Sequence, residues 1–135
     1  MPSTYTPIAT NTVSGTSTAT VTFSSIAGTY TDLILISNLG IVSGSVNDFR
    51  MTFNSDTANN YSATYLYGNG TSASSGRTTN QSSAEVGRTT TALGTMLLQI
   101  MNYSNTTTYK TVLERSGAAG NDLLTRVNLW RSTSA

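Results

Sequence analysis

The chain contains no histidine and no cysteine. The first absence excludes a Ser-His-Asp triad, a histidine general acid and every histidine-based metal site. The second excludes disulfides and thiolate metal sites, so packing or assembly must supply stability; it assigns no compartment. Charge is scarce too. Charged residues make up 10% of the 135 positions, against about a quarter in ordinary globular domains. Seven basic and six acidic residues, net +1, are scattered along the sequence. No basic run exists to neutralise a phosphate backbone, so nucleic acid is not an expected partner. The longest apolar run, Leu-Ile-Leu-Ile at residues 33–36, is far too short to span a bilayer, and no membrane partner is expected.

What replaces the charge is Thr, Ser, Asn and Gly rather than apolar residues, which reach only 37%. Thr favours strands, whereas Ser, Asn and Gly favour turns. Strand signals recur with turn residues between them. Residues 18–25 (TATVTFSS) alternate Ala19, Val21 and Phe23 against threonines. Residues 32–38 (DLILISN) are continuously apolar, which predicts a strand covered on both faces. Residues 47–54 place Phe49, Met51 and Phe53 on one face, and residues 61–68 alternate Tyr61, Ala63, Tyr65 and Tyr67. Residues 68–83 (GNGTSASSGRTTNQSS) show no apolar periodicity and predict a long exposed loop. A weak strand follows near residue 85. Strands are then predicted over 95–104, 108–116 and 122–132, with polar turns at 104–106 and at the GAAGN of 117–121.

About eight strands and almost no helix signal predict an all-β fold, a single antiparallel β-sandwich, jelly-roll-like, over residues 1–135. Its inner faces would carry Val21, Phe23, Leu33, Leu35, Phe49, Met51, Phe53, Leu98, Ile100, Leu113, Val127 and Leu129. Each large apolar side chain so buried contributes roughly 1.5–3 kcal/mol, and the polar composition leaves a thin margin for assembly to widen.

Four strings carry a family resemblance. MPSTYTPIATNTV with ATVTFSSIAGTYTDLILIS, then RMTFNSDTANNYSATYLYGNGTSASSGR, then IMNYSNTTTYKTVLERS, then LWRSTSA, are similar to a family of small virion proteins of tailed phages, common among phages of marine bacteria. The resemblance covers nearly the whole chain. It implies a bacteriophage structural protein, a head or tail accessory located in the virion. Two departures stand out. Ala27 replaces a proline in the turn after SSI, and relatives continue past LWRST for about two more strands. Those strands would come from neighbouring subunits, or the chain is a shortened version with an open sheet edge. The opening residues lack a secretion signal, which fits release by lysis and equally fits a cytoplasmic protein.

The function expected from the resemblance, the size and the composition is capsid decoration or cementing through multivalent contacts with the major capsid protein or other virion proteins. A homo-oligomer is expected, with a trimer as the guess. The alternative is a tail-fibre or receptor-binding module that holds a host-surface glycan. Its motives are the 68–83 loop and a stacking surface of Tyr61, Tyr65, Tyr67 and Trp130, although tyrosines at period two more often pack in a core or interface. Arg50, Arg115, Arg126 and Arg131 are candidate interface residues, with pairing to Asp48 or Glu114 as the simpler reading. No enzymatic role, cofactor or metal is expected. The carboxylates are Asp32, Asp48, Asp56, Glu85, Glu114 and Asp122, and a glycosidase would need two of them facing each other. Asp56, Asn59 and Asn60 offer oxygens to calcium, but an Asx-turn in which Asp56 bonds its own backbone is the preferred reading.

Overall fold

The structure, a computed structural model, describes residues 5–15, 17–44, 47–118 and 122–134. It contains β1 (Leu33–Leu39), β2 (Asn47–Met51), β3 (Tyr61–Gly68), β4 (Ala73–Gln81), β5 (Ala84–Thr89), β6 (Gly94–Met101), β7 (Lys110–Ala118) and β8 (Asp122–Trp130), and no helix among the described residues. Six strands form one antiparallel sheet in the order β1-β6-β7-β8-β3-β4, and β2 pairs with β5 in a two-stranded ribbon packed on it. The expected antiparallel β-sandwich is therefore the fold, with one wide layer and one narrow one.

The register gives each row of side chains across the wide sheet. Three inner rows run Leu33–Ile100–Val112–Asn128–Ala63–Thr78, Leu35–Leu98–Glu114–Arg126–Tyr65–Gly76 and Ser37–Met96–Ser116–Leu124–Tyr67–Ser74. The first two rows are apolar on the β1–β6 side and become polar towards β8, β3 and β4, whereas the third is mixed, with Ser37 on β1 and the buried Leu124 on β8. The apolar half holds the core: Leu33, Met96, Leu98, Ile100 and Val112 pack with Tyr61 and Trp130, and the ribbon adds Ala84 and Val86. Phe49, Met51 and Phe53 pack against this cluster as expected. Phe53 stacks on Trp130 at 5.0 Å between ring centroids.

Four expectations are corrected. Residues 18–25 belong to neither sheet, and Val21 and Phe23 are exposed. An alternating segment gains strand structure only where a sheet edge takes up its backbone groups, and here neither sheet does so. Residues 68–83 are not one loop: 69–72 turn, closed by Asn69 Oδ1 accepting from the Thr71 and Ser72 amides, β4 follows as an edge strand, and 82–83 turn again into β5. An edge strand exposed along most of its length needs no apolar stripe. β1 is covered on one face only, because the ribbon packs against a single face of the wide sheet; Leu33 is buried while Ile36 is 70% exposed. Finally, Leu113, Val127 and Leu129 face outward. The inward residues of β7 and β8 are Lys110, Val112, Glu114 and Ser116, and Leu124, Arg126, Asn128 and Trp130. The predicted turn at 117–121 lies largely outside the described residues.

The ribbon rests on the wide sheet through β5. Asn128 Nδ2 donates to the Glu85 carbonyl at 2.9 Å, and the Gly87 amide donates to the Glu114 carboxylate. Gly87 also sets the ribbon's geometry. Asp48 pairs with Arg88 but Phe49 pairs with Val86, so Gly87 is the extra residue of a β-bulge. Its φ is 69°, and a Cβ there would stand 2.5 Å from Met96 Sδ. Glu85 and Arg88, three apart, would point to opposite faces of an unbroken strand; the bulge turns them to the same one. Gly87→Ala is expected to destabilise the fold by about 1–3 kcal/mol through backbone strain, more if Met96 cannot move. Urea unfolding of the variant against wild type measures it.

Candidate functional site

The polar side of the ribbon and the polar half of the wide sheet enclose a groove of about 350 Å³. Arg126 lies at its base. It is 4% exposed and sits mid-row between Glu114 on β7 and Tyr65 on β3. Three carboxylates surround its guanidinium. Nη2 is 3.6 Å from Asp48 Oδ1 and 3.8 Å from Glu85 Oε2, and Nη1 is 3.6 Å from Glu114 Oε2. Charge-assisted hydrogen bonds are shorter, about 2.7–2.9 Å. The pairs therefore neutralise one another without closing hydrogen bonds. Arg126 Nε and Nη1, Asp48 Oδ1 and Glu114 Oε2 have no hydrogen-bond partner in the protein. A buried donor or acceptor left in that state costs roughly 1–3 kcal/mol, so such a cluster favours a polar guest.

Glu114 is fully buried. Burial pushes its carboxyl above the ordinary 4.5, while the Ser116 hydroxyl, which donates at 2.7 Å, and the Arg126 charge pull the other way. Further along, Tyr67 donates its hydroxyl to Asp122 Oδ1 at 3.0 Å, a bond that holds the phenol proton more tightly than usual. Arg88 lies over the Tyr67 ring at 4.8 Å and pairs with Asp122 at 3.7 Å. Tyr65 lies flat because Gly76 opposite it on β4 has no side chain: a Cβ there would run into the Tyr65 ring. Arg126 is 5.7 Å from the centre of that ring.

The candidate residues do not form one surface. Tyr61 and Trp130 are buried, stacked at 6.3 Å, so the four-residue aromatic platform does not exist. Tyr65, Tyr67 and Arg126 converge on the groove, and Arg50 borders it through its pair with Glu85 at 3.3 Å. For Arg126 the expected pairing with Asp48 and Glu114 is realised, whereas Arg50 pairs with Glu85 instead. Arg115 is on the outer face of the wide sheet, bonded to Gln99, and Arg131 bonds the Asn59 carbonyl and Asn80. Sequence reasoning missed Glu85 and Arg88 as partners in a site; the only signal was Gly87 between them, legible as a bulge once β5 is a strand.

Asp56 is structural. Its carboxylate accepts from the Ala58 amide at 2.9 Å, the Asn60 amide at 3.0 Å and the Trp130 indole at 2.7 Å, which is the Asx-turn expected. Tyr61 donates to its carbonyl at 3.0 Å. Lys110, 1% exposed, lies near the Trp130 ring and donates to the Asn105 carbonyl, and burial lowers its pKa. No family model, curated protein or solved structure matches the chain.

Two pH effects of opposite sign follow. The Asn60, Trp130 and Ala58 donors depress the Asp56 pKa below 3.8, so its contribution is present above that pH and lost as pH falls through the folded value. Asp56→Asn is expected to flatten the acid limb of stability against pH, as read by thermal melts. The Glu114 pKa is raised, so its contribution is full below pH 4.5 and lost as pH rises through the folded value. Glu114→Gln is expected to gain on wild type between pH 4.5 and neutrality, as read by urea midpoints.

Proposed function

We propose that the protein is a structural subunit of a bacteriophage particle, laid on the head shell as a decoration or cement protein in contact with the major capsid protein. The observation that carries this reading is the uncovered outer face of the wide sheet. Two of its rows run Ile34–Gln99–Leu113–Val127–Thr64–Arg77 and Ile36–Leu97–Arg115–Thr125–Leu66–Ser75. Ile36, Leu66, Leu123 and Val127 are 70%, 61%, 68% and 45% exposed. These side chains stand on one sheet face, interspersed with Gln99, Arg115 and Thr125, and a partner laid on that face would cover them together.

Charge selects the occupant. These two rows carry Arg77 and Arg115 and no carboxylate, so two copies laid face to face by a two-fold axis would bring like charges together. The face suits an apolar surface with an acidic border on a different protein. The resemblance supplies the rest: a virion component whose many weak contacts add because the shell fixes their geometry. Contacts between copies fall to the sheet edges at β1 and β4 and to the exposed segment 17–25, whose Ala19, Val21 and Phe23 alternation suits strand addition. A closed trimer is the form proposed for that assembly.

Particles lacking the protein are expected to release their genome at lower temperature or milder osmotic shock than complete ones. Purified wild-type protein should reattach and restore stability, and Leu123→Glu, which changes only the outer face, should not. Unchanged particle stability without the protein, or full rescue by Leu123→Glu, would count against cementing.

A further inference from the structure

The groove between the sheets is a concave polar feature that assembly through the outer face leaves unused. Its lining is balanced in charge: Asp48 and Glu85 against Arg88 and Arg126. Four hydroxyl-bearing side chains, Tyr65, Tyr67, Ser74 and Thr78, complete it, with Leu124 as the apolar contribution. Its volume, about 350 Å³, falls within the roughly 300–1,000 Å³ typical of small-molecule sites.

Hydrogen-bonding capacity is left unused on side chains that line this space from several strands. Arg126, 4% exposed, keeps Nε and Nη1 without a partner. Arg88 Nε, Asp48 Oδ1 and Thr78 Oγ1 are likewise buried without a hydrogen bond, although Arg88 Nε lies 3.7 Å from Asp122 and Asp48 Oδ1 lies 3.6 Å from Arg126. The set therefore mixes donors and acceptors, held by β2, β4, β5 and β8. An anionic guest would meet Asp48 and Glu85, and a cationic one would meet Arg88 and Arg126. An apolar guest would strand all of these atoms. A hydroxyl both donates and accepts, so vicinal hydroxyls satisfy a carboxylate and a guanidinium together.

We infer that the groove between the β2–β5 ribbon and strands β8, β3 and β4 is a binding site for a neutral saccharide, with Arg126, Arg88 and Asp48 taking its hydroxyls. This site is separate from the aromatic platform that Tyr61 and Trp130 do not form. It lies on the opposite side of the wide sheet from Leu123 and Val127, and holds whether the subunit sits on a head or a tail.

The test is NMR on the whole protein, following the Arg Nε–H signals during titration with maltose, lactose, cellobiose and chitobiose at millimolar concentration. Glucuronate and glucosamine are the charged controls. At least one neutral disaccharide is expected to give saturable shifts at Arg126 and Arg88. Thr78→Val, a near-isosteric variant that keeps the charge network, is expected to weaken that binding about tenfold at unchanged melting temperature, and Asp48→Ala to weaken it about as much while lowering the melting temperature, because Arg126 loses a carboxylate partner. Leu123→Glu should bind as wild type, which separates failure here from failure of the assembly reading. No saturable shift with any of the four, tighter binding of either charged sugar, or affinity unchanged in both groove variants would overturn the inference.

Discussion

A guanidinium in the middle of a sheet's inner face constrains everything around it. Arg126 belongs to β8, which is flanked by β7 and β3, so its neighbours in the row are fixed as Glu114 and Tyr65. A buried cation tolerates that position only with opposite charge close by. Glu114 supplies one carboxylate from the same sheet, and Asp48 and Glu85 supply two more from the ribbon. The ribbon is therefore placed by charge on one side and by Phe49, Met51, Ala84 and Val86 on the other. A slide of the ribbon by one residue would present the wrong side chains to both. Buried ion clusters of this sort contribute little net stability, and their best-attested use is to specify one arrangement over others.

The cost of that choice is borne by the core. The inner face gives its β8–β3–β4 half to polar side chains, which leaves the apolar cluster on the β1–β6 side to hold the fold. Meanwhile Leu113, Val127 and Leu129, which would have enlarged that cluster, point outward. A sheet with apolar residues on both faces and a ribbon over only one is under-covered, and the simplest remedy is a second protein against the outer face. The same arrangement that creates the groove thus creates the surface on which assembly is argued.

How much of this was legible depended on whether grease distinguishes inside from outside. Strands β2, β3 and β6 were legible because one face of each is plainly apolar. For β7 and β8 the strands were legible and their phase was not: the alternation of Leu123, Val127 and Leu129 is real, but it marks the outer face of the wide sheet. β4 escaped because an edge strand of Ser, Thr, Gly and Arg has no apolar stripe, and only its pairing with β3 makes it a strand. Segment 18–25 failed the other way, having the stripe without a sheet edge. At the site, the pairing of Arg126 with Asp48 or Glu114 was legible as a cross-strand possibility. The arrival of Glu85 and Arg88 on the same side was not, since it hangs on the one extra residue at Gly87.

The scarcity of charge then takes on a different meaning. Along the sequence the thirteen charged side chains look scattered. In the fold, Asp48, Glu85, Glu114 and Asp122 stand with Arg50, Arg88 and Arg126 in or beside one groove. Four of the six acidic residues are gathered there, drawn from β2, β5, β7 and β8. Charge kept for solubility would be spread over exposed faces, where each residue is hydrated at no cost. Charge concentrated half-buried, balanced in sign and incompletely hydrogen-bonded is costly to maintain, and the fold could have closed the same space with leucine. In a chain otherwise so sparing of ionised groups, that concentration of charge is the feature that a polar guest in the groove would put to use.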